Sequence, residues 1–327
     1  MSKSIRKQLI DALSQADGQF LSGQSLADVI GCSRTAIWKH IEDLRKSGFE
    51  LEAVRKKGYR IISKPDQLTE NEILLGLETE SMGRHILHFE TTVSTQIIAH
   101  QAAVDGAPEG TLIIAEEQTG GKGRMARSWH SSKQKGIWMS LIIRPQLTLD
   151  KAPQFTLIAA IAAARAIEGV TGLEPEIKWP NDLLFNGKKL TGILTELQAE
   201  ADKINFVVIG VGINVNQNEE DFPPFVRGLA TSLAIESGTN ISRTALIQSF
   251  LKNFERYYHL YIEKGFAPLK IIWESYAASI GKNIIAKTVT GEITGKAIGI
   301  TDNGVLKIQD HGGNIHHVYS ADIEINS

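Results

Sequence analysis

Apolar residues recur at helical spacing along the first fifty positions: Ile5, Leu9 and Leu13, then Leu26 and Ile30, then Ile37, Ile41 and Leu44. The pattern predicts three short helices. "FELEAVRKKGYRI" then alternates apolar and polar residues on either side of Lys57-Gly58, which predicts a β-hairpin. A polar joint, "SKPDQLTEN", follows; no apolar period runs through it and Pro65 interrupts the backbone ladder, so a linker is expected over 64–70. Beyond it, apolar runs predict strands at about 85–90, 111–117, 137–143, 182–186, 192–198 and 204–213, and helices at 94–105, 152–169 and 242–263. Mixed order with hairpin-length gaps late in the run indicates an α+β fold with a mixed sheet. From about 280, short alternating runs broken by Gly291, "DNG" and "HGG" predict a small β-barrel. No internal repeat or low-complexity segment stands out.

The N-terminal pattern resembles a winged helix-turn-helix domain, placed at 1–63. In "GQSLADVIGCSRTAIWKH", Ala27 suits a tight helix contact, Gly31 the turn and Ser33 a cap on the third helix. With that helix in a major groove, Ser33, Arg34, Thr35, Trp38 and Lys39 face bases and phosphates, and Arg55, Lys56, Lys57 and Arg60 put charge on the backbone. A solvated basic face or a protein-binding module is the alternative. Charge favours nucleic acid: the net charge is −2, yet residues 1–64 hold 12 Lys+Arg against 7 Asp+Glu.

At 327 residues with 42% hydrophobic composition, the chain has room for two or three domains. Its one cysteine, Cys32, excludes an internal disulfide framework and points to a reducing, cytoplasmic compartment. The N-terminus does not read as a secretory leader. "FTLIAAIAAARAI" is broken by Arg165 and reads as a buried helix, so no membrane partner is expected. The nine histidines are scattered, and no structural metal site is expected.

Two stretches carry candidate chemistry. "TGGKGRMARSWH", Thr119 to His130, joins three glycines to three Lys/Arg, a composition suited to an oxyanion. It is not a Walker loop, because its Lys precedes the last glycine; "GVGINV" likewise has Val215 where a dinucleotide fingerprint needs its third glycine. In "EIKWPNDLLFNGKKLTGILTE", Lys178 leaves a strand beside Pro180, Asn181 and Asp182, where an ammonium can stabilise charge on a phosphoryl or acyl oxygen. A surface lysine before a turn is the plain alternative.

Taken in order, the winged head, "FETTVSTQ", "EEQTGGKGRMARSW", "KWPNDLLFNGKKLTGILTE", "VVIGVGINVN" and "FPPFVRGLATSL" resemble the bifunctional biotin protein ligases that also repress biotin genes. The resemblance covers the whole chain. It implies a central mixed-sheet ligase domain like a class II synthetase at 71–279 and an SH3-like barrel at 280–327. It also implies a two-step reaction: biotin and ATP give biotinyl-5′-AMP, then a lysine of the biotin carboxyl carrier domain of acetyl-CoA carboxylase or a related enzyme takes the biotin. Operator DNA and a ligand-promoted homodimer are the further partners implied.

Residue by residue, Ser94 and Thr95 match hydroxyls that hold the ureido group. Gln118, Gly121, Lys122, Gly123 and Arg124 match the loop contacting biotin and phosphate, Arg127 a more distal arginine, and Trp129 the aromatic against adenine. Lys178 matches the catalytic lysine, with Arg124 beside it; Asn214 matches a nucleotide contact, and Gly192, Gly210 and Gly212 small pocket residues. Asp182 is the candidate to hold Mg²⁺ or orient Lys178. Four positions depart from the pattern: Lys122 for Arg, Gln96 for Asn, and Ala321-Asp322 for Gly-Glu. A biotin-sensing repressor without catalysis and a lipoate-type ligase are the alternative functions.

Overall fold

A computed structural model describes residues 5–325 except 17, 47, 48, 64, 65 and 67. Part of the expected linker, at 64, 65 and 67, therefore lies outside the described residues. The chain forms two compact units, Met1–Asp66 and Gln67–Ser327.

The first unit has helices α1 (Ile5–Gln15), α2 (Gly23–Ile30) and α3 (Arg34–Lys46), then strands β1 (Glu50–Val54) and β2 (Gly58–Ser63). Local chemistry sets the helix ends. Ser22 Oγ caps α2 through Ser25 N at 3.0 Å, Gly31 ends it in the left-handed region, and Ser33 Oγ caps α3 through Ala36 N at 3.1 Å. Leu9, Leu13, Leu26, Ile37, Ile41 and Leu44 close one core, as their spacing predicts. Gly58, at φ +110°, allows the hairpin to pair with Leu21; a Cβ there would stand 1.9 Å from Leu21 O.

The exposed face of this unit carries Arg34, Thr35, Trp38 and Lys39 on α3 and Arg55, Lys56 and Lys57 at the hairpin tip. Trp38 is 53% exposed, unusual for an indole with no partner to cover it. Two of the expected DNA contacts also have partners inside the unit. Arg60 is half-buried, ion-paired to Glu52 at 2.6 Å and stacked over Phe20 at 4.7 Å. Its charge is already held within the unit. Ser33 Oγ accepts the cap hydrogen bond from Ala36 N and stays exposed.

The second unit opens with α4 (Glu70–Leu74), β3 (Ile86–Phe89), α5 (Thr95–Val104), β4 (Leu112–Ala115), β5 (Gly136–Ile143) and α6 (Ala152–Thr171). It continues with β6 (Glu176–Lys178), β7 (Asp182–Phe185), β8 (Lys188–Glu200), β9 (Lys203–Asn214), α7 (Leu233–Ser237), α8 (Arg243–Lys264) and α9 (Ala267–Tyr276). A seven-stranded mixed sheet runs β3-β4-β5-β9-β8-β7-β6, parallel only between β3 and β4. Helices α6 and α8 cover one face; α5 covers part of the other, over β4, β5 and β9. The stretch Leu149–Thr171 is long and apolar enough to cross a bilayer, more than its interrupted sequence suggests, but 67% of its apolar window is buried in this core.

Strands β10 (Asn283–Thr288), β11 (Gly291–Ile300), β12 (Leu306–Gln309), β13 (Ile315–Val318) and β14 (Asp322–Ile325) form an antiparallel sheet in the order β13-β12-β11-β10-β14. This sheet shares the central core through Ile284, Ala297 and Ile308, and Trp179 Nε1 donates to Gly304 O at 3.0 Å. Its loops therefore sit in fixed relation to the central sheet.

Candidate active site

The site arises where side chains disappear from one sheet face. Along β9, Phe206 and Val208 point to α5 and pack beneath it, but the next positions on that face are Gly210, Gly212 and Asn214. β8 matches them in register, with Leu194 opposite Gly210 and Gly192 opposite Gly212. Beside them on β5 stand Ser140, paired with Gly210, and Trp138, paired with Gly212. A cleft of about 270 Å³ follows this glycine floor. From Gly210 to Asn214 it runs roughly 13 Å at the usual strand rise.

One end is neutral and hydrogen-bonding. Thr95 N donates to Gln118 Oε1 at 2.8 Å, Gln118 Nε2 donates to Ser131 Oγ at 2.9 Å, and Ser140 Oγ donates to Gln96 Oε1 at 3.0 Å. Thr95 Oγ1 lies 2.9 Å from Ser140 Oγ. Thr95 Oγ1 also lies 3.1 Å from Gln118 Oε1, so its one proton is shared between Ser140 and Gln118.

The other end is aromatic and cationic. Trp129 lies on the glycine floor; a Cβ on Gly192 or Gly212 would come within 2.7 Å of its ring. Lys189 Nζ sits 5.4 Å from that ring and holds Asp182 Oδ2 at 2.7 Å. Lys122, Arg124 and Arg127 complete the positive wall.

The glycine and basic residues of the loop form a narrow hairpin over this end. Trp129 N donates to Gly121 O at 2.9 Å and Gly123 N to Arg127 O at 2.7 Å, around a single turn at Arg124–Ala126. Met125 and Ala126 at its tip adopt φ of 55° and 56°, conformations costly without glycine. Two arginines clasp the hairpin down. Arg124 donates to Asn181 Oδ1 at 2.9 Å and to Ser320 Oγ at 2.8 Å, and Arg127 forms an ion pair with Asp322 of β14. The hydrogen bond from Arg127, then the nearby charges of Arg124 and Lys178, hold the Asp322 carboxyl below its ordinary pKa despite partial burial.

Most expected residues meet at this cleft: Thr95, Gln118, Lys122, Gly123, Arg124, Arg127, Trp129, Asp182, Gly192, Gly210, Gly212 and Asn214 line it. Three do not. Ser94 is buried at the start of α5 and borders a neighbouring groove instead. Gly121 is required for packing, since a Cβ would stand 2.6 Å from Trp129 O. Lys178 is outside the lining but on the same sheet face: on β6 it pairs in register with Asp182, which pairs with Gly192 of the floor, and its charge reaches Asp322.

At Asp182, Lys189 occupies Oδ2 while Oδ1 is buried without a partner, and no group of three His, Cys, Asp or Glu gathers among the described residues. Sequence reasoning missed Ser140, Lys189, Asp322 and the covering residues Phe222, Val226 and Ala230. A lone hydroxyl within the apolar strand "WMSLII" was a usable signal for Ser140.

Profiles of known families match in the same order: an HTH domain at 5–60, the biotin/lipoate A/B protein ligase family at 89–214, and the biotin protein ligase C-terminal domain at 279–325. The bifunctional ligase/repressor BirA of Bacillus spizizenii is 54% identical over 325 residues, which is 99% of this chain and 100% of the relative. Its namesake in Bacillus subtilis is 53% identical over the same shares. Among solved structures, the biotin protein ligase from Aquifex aeolicus in complex with biotin and ATP matches 74% of this chain and 99% of its own, at 28% identity and a TM-score of 0.65. A head with an HTH match, a glycine-floored cleft under a clasped basic hairpin, and full-length identity above one half together establish that the chain belongs to the family of bifunctional biotin ligase/repressors.

Proposed function

We infer that the chain activates biotin with ATP, transfers it to a lysine of a carboxylase carrier domain, and represses biotin synthesis and uptake genes through its N-terminal unit. The observation that carries the ligase reading is the polarity of the cleft. Biotin has a neutral ureido ring at one end and a carboxylate at the other. The Thr95, Ser140 and Gln118 network suits the ureido end, and Lys122 and Arg124 suit the carboxylate and the α-phosphate beside it. A planar base then stacks at Trp129.

In the first step a carboxylate oxygen of biotin attacks the α-phosphorus and pyrophosphate leaves. In the second, the carrier amine attacks the acyl carbon, loses a proton and expels AMP. Arg124, held between Asn181 and Ser320, is placed to stabilise charge developing on the phosphoryl oxygens, and Lys178 supports it through the field it shares with Asp322. The clasped hairpin keeps water from the anhydride. Mg²⁺ would enter with the ATP phosphates and neutralise them, and the unpartnered oxygen of Asp182, which lines the cleft, would be available to hold it.

The division of labour we propose is DNA binding by 1–63, catalysis by 71–279 and clasping of the loop by 280–327, in the cytoplasm. Ligand also promotes a homodimer. In support, Phe222 and Val226 line the cleft while Phe225 and Leu229, on the same short segment, are 75% and 68% exposed. A ligand that orders the segment presents that apolar pair.

The deciding assay supplies ATP and Mg²⁺ with either biotin or lipoate and follows adenylate and labelled carrier. Biotin alone is expected to give both; lipoate as the better acid would establish the lipoate-type reading, and no adenylate from either the non-catalytic one.

A further inference from the structure

Gln96 stands between two cavities. One is the cleft; the other is an open groove between the outer side of α5 and the uncovered face of β8, and Gln96, Lys122 and Leu194 line both. The Gln96 side chain is 7% exposed and fixed in place. Its Nε2 donates to Val208 O at 3.2 Å and to Leu194 O at 3.4 Å, which can only accept, so Oε1 must be the atom that receives the Ser140 hydroxyl. The same oxygen fills the space over Gly210, 2.5 Å from where a Cβ would stand. Four packed partners make the amide a wall.

What lies behind the wall differs from what lies before it. The groove is lined by Ile97, Val104 and Leu197 together with His100, Gln101 and Glu196. It suits a short uncharged chain. We propose that Gln96 is a specificity-determining residue closing the ureido end of the acid pocket, and that the groove behind it is a second binding space able to take a small alkyl substituent on a cyclic-urea acid once the wall is shortened. The inference rests on the biotin reading of the cleft, because that reading places the ureido ring at the Thr95, Ser140 and Gln118 network, which Gln96 backs through Ser140.

The test measures adenylate formation by the full chain with biotin and with biotin carrying a butyl group on a ureido nitrogen. The natural chain is expected to favour biotin by about 100-fold or more, the scale on which a closed pocket rejects excess bulk. Gln96→Ala should shift that ratio towards the butyl compound by about 100-fold. Adding Ile97→Trp, which alters only the groove side, should then abolish use of the butyl compound while biotin is used as in the single variant. An unchanged ratio in Gln96→Ala, or continued use of the butyl compound in the double variant, overturns the proposal. If Gln96→Ala fails to fold by thermal melting, Gln96→Asn asks the same question, with an expected shift of about tenfold. A natural chain that makes no biotinyl adenylate sinks the ligase reading and this inference with it; one that does so normally, beside an unmoved ratio, sinks the inference alone.

Discussion

Gly212 lies beneath the indole of Trp129, so close that a Cβ on the glycine would stand 2.7 Å from Nε1 and Cε2 of the ring. Nothing larger than hydrogen leaves the ring where it is. Gly212→Ala is therefore expected to tilt Trp129 and raise KM for ATP by about tenfold to a hundredfold, the value of one base stacked on an aromatic. KM for biotin should hardly move, because the neutral network is built around Gly210, one step further along the same face. Equal effects on both substrates would place the nucleotide elsewhere.

Arg124 lines the cleft and bridges Asn181 to Ser320, whereas Lys178 stands at the far edge of the same sheet face, paired with Asp182. Arg124→Ala is expected to slow adenylate formation by about two to three orders of magnitude, as loss of a positioned charge stabiliser does. It should also let bound biotinyl-AMP escape faster. Lys178→Ala should slow the first step on a similar scale while leaving retention of the adenylate intact. A normal rate in Lys178→Ala would remove that lysine from the mechanism.

Glu255 on α8 ties down the chain before β3, accepting from the N–H groups of Glu80, Ser81 and Met82 at 2.8, 2.7 and 2.9 Å. Burial alone pushes its pKa up, but these hydrogen bonds outweigh it and hold the group below the ordinary glutamate value. A depressed native pKa means stability that is fully present above the unfolded value of about 4.3 and is lost as pH falls through the native one. Glu255→Gln should cost about 2–3 kcal/mol at pH 7. That difference should shrink in denaturant titrations carried below pH 4; a gap independent of pH would contradict the charge-based account.

On the DNA-binding unit, Lys57 is exposed at the hairpin tip while Arg60 is spent on Glu52 and Phe20. With a duplex selected by the full chain from a random pool, Lys57→Ala should reduce the salt slope of binding by about one. Arg60→Ala should lower the stability of the unit and leave the slope unchanged. The reverse pattern would return Arg60 to the phosphate backbone.

Much of this architecture was legible in the chain because local signals agreed with the fold. The head could be read from Leu9 to Leu44 at helical spacing, and the long strands from their apolar runs. Short elements were not: α4, α7 and β6 span too few residues to show a period. The site was legible in composition and hidden in geometry. Gly192 and Gly212 looked like ordinary pocket glycines, and only the β8–β9 register shows them facing each other under Trp129. Asp322 could not be linked to Arg127 at all, since 195 residues separate them and only docking of the C-terminal sheet brings the two charges together.

The central claim is that the clasped hairpin closes over an adenylate built from biotin and ATP. Its most direct measurement is exchange of labelled pyrophosphate into ATP, which proceeds only if the enzyme makes the mixed anhydride reversibly. The account predicts exchange that requires biotin, does not occur with lipoate, and falls by about two orders of magnitude or more in Arg124→Ala. Exchange independent of biotin, or untouched by loss of Arg124, would contradict it.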